Sequence, residues 1–293
     1  MKIIVCVKQV PDSSVPIDFD LMNNVIREES IVYVINEADE SALQEALRIK
    51  SATGAEITVI SAGPRRVEET LRYCLSLGAD NAVYLKDEDI IRSDAYATGR
   101  ILASLIGRYE YQLILCGTQS SDSSSAQVGP TIAEFLNIPQ ITYAIDIKVD
   151  ETKESATVTR LIDRGDQMVI ECPLPAVISV QRNIHDLPYP TLPMRIMARE
   201  AFIQTYDLQS LGLSNHDVGV QGSQIMHEKL FTPRPKTKGA IIPDNSLSVT
   251  ERINLLLSSE TSSRGDADLL EGDPEIVADK IVDYLAEEGY LMG

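Results

Sequence analysis

Over its first 150 residues the chain alternates between short β-branched apolar runs and stretches whose apolar residues recur at helical spacing. Residues 2–8, Lys2-Ile3-Ile4-Val5-Cys6-Val7-Lys8, read as a buried strand. Asn36-Glu37-Ala38-Asp39 offers a helix cap, after which Leu43, Ala46, Leu47 and Ile49 fall at helical intervals. A strand over 56–61 closes at Ala62-Gly63-Pro64. The helix expected over 67–77 carries Val67, Leu71, Cys74 and Leu75 on one face and ends at Gly78. Strands over 81–85 and 112–116 enclose a helix over 95–106, and a loop at 117–125 leads to a helix over 126–136. This alternation predicts an α/β fold with a parallel sheet and helices on both faces. Ligands of such sheets bind at the carboxyl ends of the strands, here the loops after Val7, Ser61 and Cys116.

Beyond Ile141 the pattern changes. Short alternating stretches at 141–149, 156–162, 167–170 and 176–180, separated by turn residues, read as antiparallel strands. Residues 186–244 are rich in Pro and Gly and read as an extended segment laid over another surface. Residues 258–268 read as a linker, and a helix opens at Asp273-Pro274-Glu275 and runs to Leu285.

Charge narrows the function. The 293 residues carry a net −18, which argues against nucleic acid, since phosphate neutralisation needs clustered Lys and Arg. From Asp244 onward there are 12 acidic and 3 basic residues, preceded by the basic Lys229, Arg234, Lys236 and Lys238. That asymmetry fits an appended arm with its own partner surface, or a merely solvated acidic helix. Apolar runs are strand-length, so no membrane insertion is expected, and no signal-peptide pattern opens the chain, so a cytoplasmic protein is expected. Cys6, Cys74, Cys116 and Cys172 are far apart, without a CxxC pair, and read as buried thiols rather than metal ligands. His185, His216 and His227 lie outside any metal-binding spacing, and no catalytic nucleophile stands out.

The most informative stretch is Cys116-Gly117-Thr118-Gln119-Ser120-Ser121-Asp122-Ser123-Ser124-Ser125-Ala126-Gln127-Val128-Gly129-Pro130. Small side chains let a ligand approach the backbone, and free N–H groups at a helix start attract phosphate. A serine-rich loop that only caps its helix would show the same composition. Neither a GxxxxGK[ST] loop nor a GxGxxG fingerprint occurs, and GxSxG is absent.

In order and spacing, several segments resemble the nucleotide-binding parts of electron transfer flavoprotein beta subunits. They are Lys8-Gln9-Val10-Pro11-Asp12, residues 36–39, Ser61-Ala62-Gly63-Pro64 and the loop at 116–130. The similarity continues through Leu136-Asn137-Ile138-Pro139-Gln140, Leu174-Pro175-Ala176-Val177 and Tyr189-Pro190-Thr191-Leu192-Pro193, covering residues 1–200. The resemblance implies a five-stranded parallel sheet of the adenine-nucleotide-binding type, with a small antiparallel extension and an extended C-terminal arm. A nucleotide- or FAD-binding domain would span 1–200, and an arm with its terminal helix, 201–293, would contact an alpha subunit. It also implies a heterodimer that carries electrons to an acyl-CoA dehydrogenase-type flavoenzyme. By the same resemblance Cys6, Lys8, Asn36, Ala38 and Asp39 would contact the nucleoside end, with Ala62 and Gly63 beneath the adenine or ribose. Gly117, Thr118, Gln119, Asp122, Ser123, Ser124, Ser125, Ala126, Gln127 and Val128 would cradle the phosphates. Leu192 occupies the place of the family's apolar anchor for its dehydrogenase partner.

Within the family, Ala126-Gln127-Val128-Gly129-Pro130 and Gly219-Val220-Gln221-Gly222-Ser223, with Leu230-Phe231-Thr232-Pro233 and Lys238-Gly239, are similar to the electron-bifurcating group. That implies a second FAD in this subunit, with NADH as electron donor and ferredoxin or flavodoxin as a further acceptor. The alternative is a structural AMP in the same site and no bifurcation. Thr118 stands where Lys or Arg is frequent, Ser123 where Gly or Asp is usual, and Glu37 where Pro is common.

Overall fold

Successive side chains of strand β1 (Lys2–Cys6) face opposite sides of a sheet, and this alternation builds two separate cores. Ile3 and Val5 enter one apolar cluster, and Ile4 and Cys6 enter the other. The computed structural model describes residues 1–15, 19–20, 25–26, 31–182, 189–225 and 274–287. After β1 come β2 (Gln9–Pro11), β3 (Phe19–Asp20), β4 (Val25–Ile26) and β5 (Tyr33–Ile35), paired antiparallel as β2 with β5 and β3 with β4. Then α1 (Glu37–Thr53), β6 (Glu56–Gly63), α2 (Val67–Leu77), β7 (Asn81–Lys86), α3 (Ala95–Ile106), β8 (Leu113–Gly117) and α4 (Val128–Leu136) follow in turn.

The helix ends follow from local chemistry. Glu37, Asp39 and Glu40 place negative charge on the first turn of α1, where the helix dipole favours it. Gly54 takes the left-handed conformation (φ 74°) and donates to the Lys50 carbonyl, closing α1. Asp94 caps α3 by accepting from the Ala97 N–H at 2.9 Å. Asn137, also left-handed, closes α4.

The chain continues through β9 (Gln140–Asp150), β10 (Ser155–Leu161), β11 (Gln167–Pro173), β12 (Ala176–Val180), α5 (Leu192–Glu200), β13 (Gln204–Tyr206) and a short α6 (Gly219–Gly222). One sheet runs in the order β11-β10-β9-β12-β8-β1-β6-β7-β13. From β9 to β13 all neighbours pair parallel, while β10 pairs antiparallel with β9 and with β11. The expected parallel sheet with its antiparallel extension is thus present, but wider than five strands.

One strand orientation differs from expectation. Residues 176–180 are not antiparallel: β12 lies parallel between β8 and β9, with Val177 opposite Ile114 and Ile178 opposite Ile141. All five of its residues are buried, as an interior strand covered on both faces requires. Strand β9 serves both patterns, pairing parallel with β12 along its first half and antiparallel with β10 along its second.

The chain divides into two compact units, residues 1–231 and 232–293. The second contains the expected terminal helix, observed as Pro274–Glu287. The segment expected to be extended over 186–244 is instead partly regular where it is described, residues 189–225, since it forms α5, β13 and α6. The linker expected at 258–268, residues 226–244, His185, His227 and the motifs at 230–239 lie outside the described residues. No helix among the described residues is long and apolar enough to cross a membrane.

Candidate functional site

From β1 the chain passes to β6 and β7 on one side, then returns to β8 on the other. Helices α1 and α2 bury Leu43 and Leu71 in the core on one face, while α3 and α4 bury Ile101 and Ile132 on the opposite face. The crevice beyond the carboxyl ends of β1 and β8 is therefore the topological switch point, the place where open α/β sheets bind ligands.

The floor of that crevice is Asp39, on the first turn of α1. One carboxylate oxygen accepts from the Lys8 N–H and the other from the Gly117 N–H, both at 2.8 Å. Burial pushes this carboxyl up to about 6, while the two amides, Asn36 and the Lys8 charge pull the other way. Gly117 has to be glycine: a Cβ there would lie 2.5 Å from Asp39 Oδ1 and 2.7 Å from Ala38, so helix and strand end could not meet.

Asn36 sits at the helix-cap position without capping. Its buried side chain instead reaches the loop, with Nδ2 donating to the Gln119 carbonyl at 3.0 Å and Oδ1 accepting from the Ser121 N–H at 3.1 Å. The Lys8 ammonium meets both Asp122 oxygens, at 2.7 and 2.6 Å. Burial opposes the Asp122 charge, yet Lys8 and the neighbouring hydrogen bonds outweigh it and hold the carboxyl below its ordinary value. Thr118 is buried. Its N–H donates to Val180 O at 3.0 Å, and its hydroxyl lies 3.3 Å from Gln181 Oε1. The Ser123 N–H meets Asp122 Oδ1 at 2.7 Å, and the Ser124 N–H meets the Ser120 carbonyl at 2.9 Å. Residues 117–124 are thus largely committed to protein partners.

Residues 125–129 behave differently. None of their N–H groups has a protein partner among the described residues. Ser124 (φ 49°) and Ala126 (φ 53°) are left-handed without being glycine, a backbone cost of about 1–3 kcal/mol each that clusters at functional sites. Ala126 is followed by Gln127 in the right-handed region (φ −107°, ψ −17°). A left-handed residue followed by a right-handed one turns three successive N–H groups, those of Ala126, Gln127 and Val128, into one anion-binding concavity. The left-handed Ala126 also explains why α4 begins at Val128 rather than at residue 126, as the sequence predicts. Gly129 lets that first turn sit against β8, since a Cβ would lie 2.9 Å from Cys116 Sγ.

The remaining expected site residues divide by exposure. Cys6 is buried, and burial with the nearby Asp39 pushes its thiol up to about 12; Cys116 beside it is raised as well, so neither is a thiolate at neutral pH. Ala38 is buried against Gly117. The end of β6 passes close to β1, with Ser61 Oγ donating to the Val7 carbonyl at 2.6 Å, and brings half-buried Ala62 and buried Gly63 (φ 147°) to the same edge. Leu192 is elsewhere, 70% exposed on α5 beside exposed Ile196 and Met197.

A residue that sequence patterns did not single out holds that helix. Arg72, on α2, donates to the carbonyls of Ala198 (2.9 Å), Arg199 (2.7 Å) and Ala201 (3.2 Å), where a cation complements the helix dipole. No local motif marks this role, because its partners lie more than a hundred positions along the chain.

Against known proteins, a family profile described as "Electron transfer flavoprotein domain" matches residues 23–210. Electron transfer flavoprotein subunit beta of Megasphaera elsdenii is 34% identical over 264 residues, covering 86% of this chain and 96% of the relative. The caffeyl-CoA reductase-Etf complex subunit CarD of Acetobacterium woodii is 34% identical, covering 85% of this chain and 94% of its own. The acryloyl-CoA reductase electron transfer subunit gamma of Anaerotignum propionicum is also 34% identical, with 83% and 92% covered.

Proposed function

Since this chain belongs to the electron transfer flavoprotein family, as one of its beta subunits, we propose that it carries a dinucleotide at the switch between β1 and β8 and works in a heterodimer with an alpha subunit. The observation that carries this reading is the concavity formed by the N–H groups of residues 126–128, at the start of α4 and at the strand ends where ligands of this architecture bind. The unengaged N–H groups of residues 125–129 and the positive end of a helix suit a pyrophosphate, and small side chains leave room for it.

The residues fit FAD in distinct roles. Ser125, Ala126, Gln127 and Val128 bind the pyrophosphate through backbone N–H groups, and Ala62 and Gly63 line the edge nearer the nucleoside. Asp39, Asn36, Gly117 and Thr118 hold the cradle in shape from beneath. Their hydrogen bonds are already spent on protein, so they position rather than contact the ligand. Lys8 supplies positive charge beside the loop, which matters because Thr118 brings none. FAD, when bound, would supply two-electron acceptance from NADH and one-electron transfer onward; this chain's residues bind and orient it.

The partners follow from the same reading. The exposed apolar surface of α5, with Leu192 at its first position, is assigned to an acyl-CoA dehydrogenase-type flavoenzyme. The names of the relatives from Acetobacterium and Anaerotignum, both tied to acyl-CoA reductases, support that class of partner. The terminal arm is assigned to the alpha subunit, and ferredoxin or flavodoxin to the second electron. Releasing and counting the nucleotides of the co-expressed heterodimer tests the assignment: two FAD per heterodimer are expected, whereas one FAD with one AMP would replace bifurcation by a structural nucleotide.

A further inference from the structure

We propose that Asp39 is a positioning residue of the nucleotide site, whose charged carboxylate locks the turn after β1 to the end of β8, so that neutralising it frees one of the two and releases the nucleotide. The inference deepens the functional reading and rests on it. Its basis is geometric. The two carboxylate oxygens are divided between two backbone donors on either side of the switch point, the Lys8 N–H from the turn after β1 and the Gly117 N–H from the end of β8, each at 2.8 Å. Gly117 begins the loop whose far end carries the N–H concavity, and Lys8 is the cation beside that loop. A carboxylate can accept from both amides at once. A carboxylic acid cannot do so equally well, because its hydroxyl presents a proton to one of them.

The surroundings make this lock sensitive to acid. The titratable groups facing Asp39 are Cys6 and Lys8 from β1 and the turn after it, Cys116 from β8 and Cys74 from α2. Burial raises all three thiols, which stay neutral at and below neutral pH, so Lys8 is the charged group among them. Its ammonium is shared with Asp122, which limits what it gives Asp39. Burial therefore dominates, and the Asp39 carboxyl takes up a proton near pH 6.

The test measures nucleotide retained by the heterodimer after filtration, from pH 5 to pH 8, for wild type and Asp39→Asn. Wild type is expected to lose affinity for this subunit's nucleotide on acidification, across the range in which Asp39 takes up its proton. Asp39→Asn offers one acceptor in place of two, so it should bind about tenfold or more weakly at pH 7.5 and show no step across the range. A flat wild-type profile, or a step near pH 6 that survives in Asp39→Asn, overturns the proposal. A heterodimer without nucleotide in this subunit at any pH overturns the functional reading together with it, and that result is distinct from a bound nucleotide that ignores pH. Should Asp39→Asn not fold, hydrogen exchange on the wild-type heterodimer decides: Lys8 and Gly117 N–H protection must fall between pH 7.5 and 5.5, after correction for intrinsic rates, and unchanged protection overturns it.

Discussion

Asn36 spans the crevice to Ser121, its Oδ1 accepting the Ser121 N–H at 3.1 Å while its Nδ2 holds the Gln119 carbonyl at 3.0 Å. A residue at a helix start thereby shapes a loop 85 positions away. The serine-rich loop is consequently two devices in series: a front half fixed by Asn36, Asp39 and Lys8, and a back half whose N–H groups are available.

Asn36→Ala deletes both of those bonds and leaves two backbone groups of a partly exposed loop without their protein partner. The cost is expected at about 1–2 kcal/mol, or roughly 2–8 °C in Tm for a unit of this size. Thermal unfolding of the heterodimer, with nucleotide content measured alongside, checks it. A Tm within a degree of wild type would show that the loop holds itself.

The Lys8–Asp122 pair is half-exposed, with side-chain exposures of 48% and 33%. A pair of that kind contributes about 1 kcal/mol or less to stability. Asp122→Ala and Lys8→Ala should therefore unfold within a few degrees of wild type while loosening this subunit's nucleotide. Wild-type retention of that nucleotide in either variant contradicts this role.

Two glycines rank themselves by what surrounds them. At Gly117 a Cβ meets the backbone and side chain of α1 at 2.5–2.7 Å, while at Gly129 it meets one sulfur at 2.9 Å. Gly129→Ala should cost about 1–3 kcal/mol, a typical overpacking penalty, and Gly117→Ala more, because helix and strand end must part. Denaturant unfolding gives the order directly, and the reverse order would refute the packing argument.

Stability against pH has a defined sign at Asp39. Its folded carboxyl lies above the unfolded value, at about 6 against 3.8, so its contribution is complete below 3.8 and is lost as pH rises through 6. The stability of Asp39→Asn relative to wild type should thus climb by about 2.4 kcal/mol between pH 4 and pH 7, because each tenfold gain in proton affinity on folding is worth about 1.4 kcal/mol. Urea unfolding at several pH values measures that difference, and a constant difference would mean that the carboxyl is not raised.

Leu192 is exposed and makes no core contact that its loss would damage. Leu192→Ala should leave Tm and nucleotide content unchanged while slowing electron transfer to the dehydrogenase-type partner about tenfold or more, in line with a buried anchor residue at an interface. Unaltered transfer would move the docking surface off α5.

Much of this architecture is legible in the sequence because apolar periodicity is local. Residues 2–8 read as a buried strand and Lys2–Cys6 forms one, and Gly78 closes the helix over 67–77 where the sequence ends it. That Ile3 and Val5 feed one core and Ile4 and Cys6 the other follows from the strand alternation once the sheet is covered on both faces. The orientation of residues 176–180 is misleading because short strands in a run suggest a meander. The continuous apolar Ala176-Val177-Ile178 is the signal for an interior parallel strand. The loop is visible as a composition, but its division is not. Left-handed Ser124 and Ala126 carry no glycine to announce them, and the partners of Asn36, Asp39 and Arg72 are fixed only by the tertiary fold.

Hydrogen exchange of the heterodimer with and without its nucleotides tests the central claim most directly. Residues 125–129 should gain strong protection when this subunit's nucleotide binds, while the Gly117, Thr118 and Ser121 N–H groups, already bonded to protein, change little. Unchanged exchange across 125–129 with the nucleotide demonstrably bound would place the phosphates elsewhere and contradict the account.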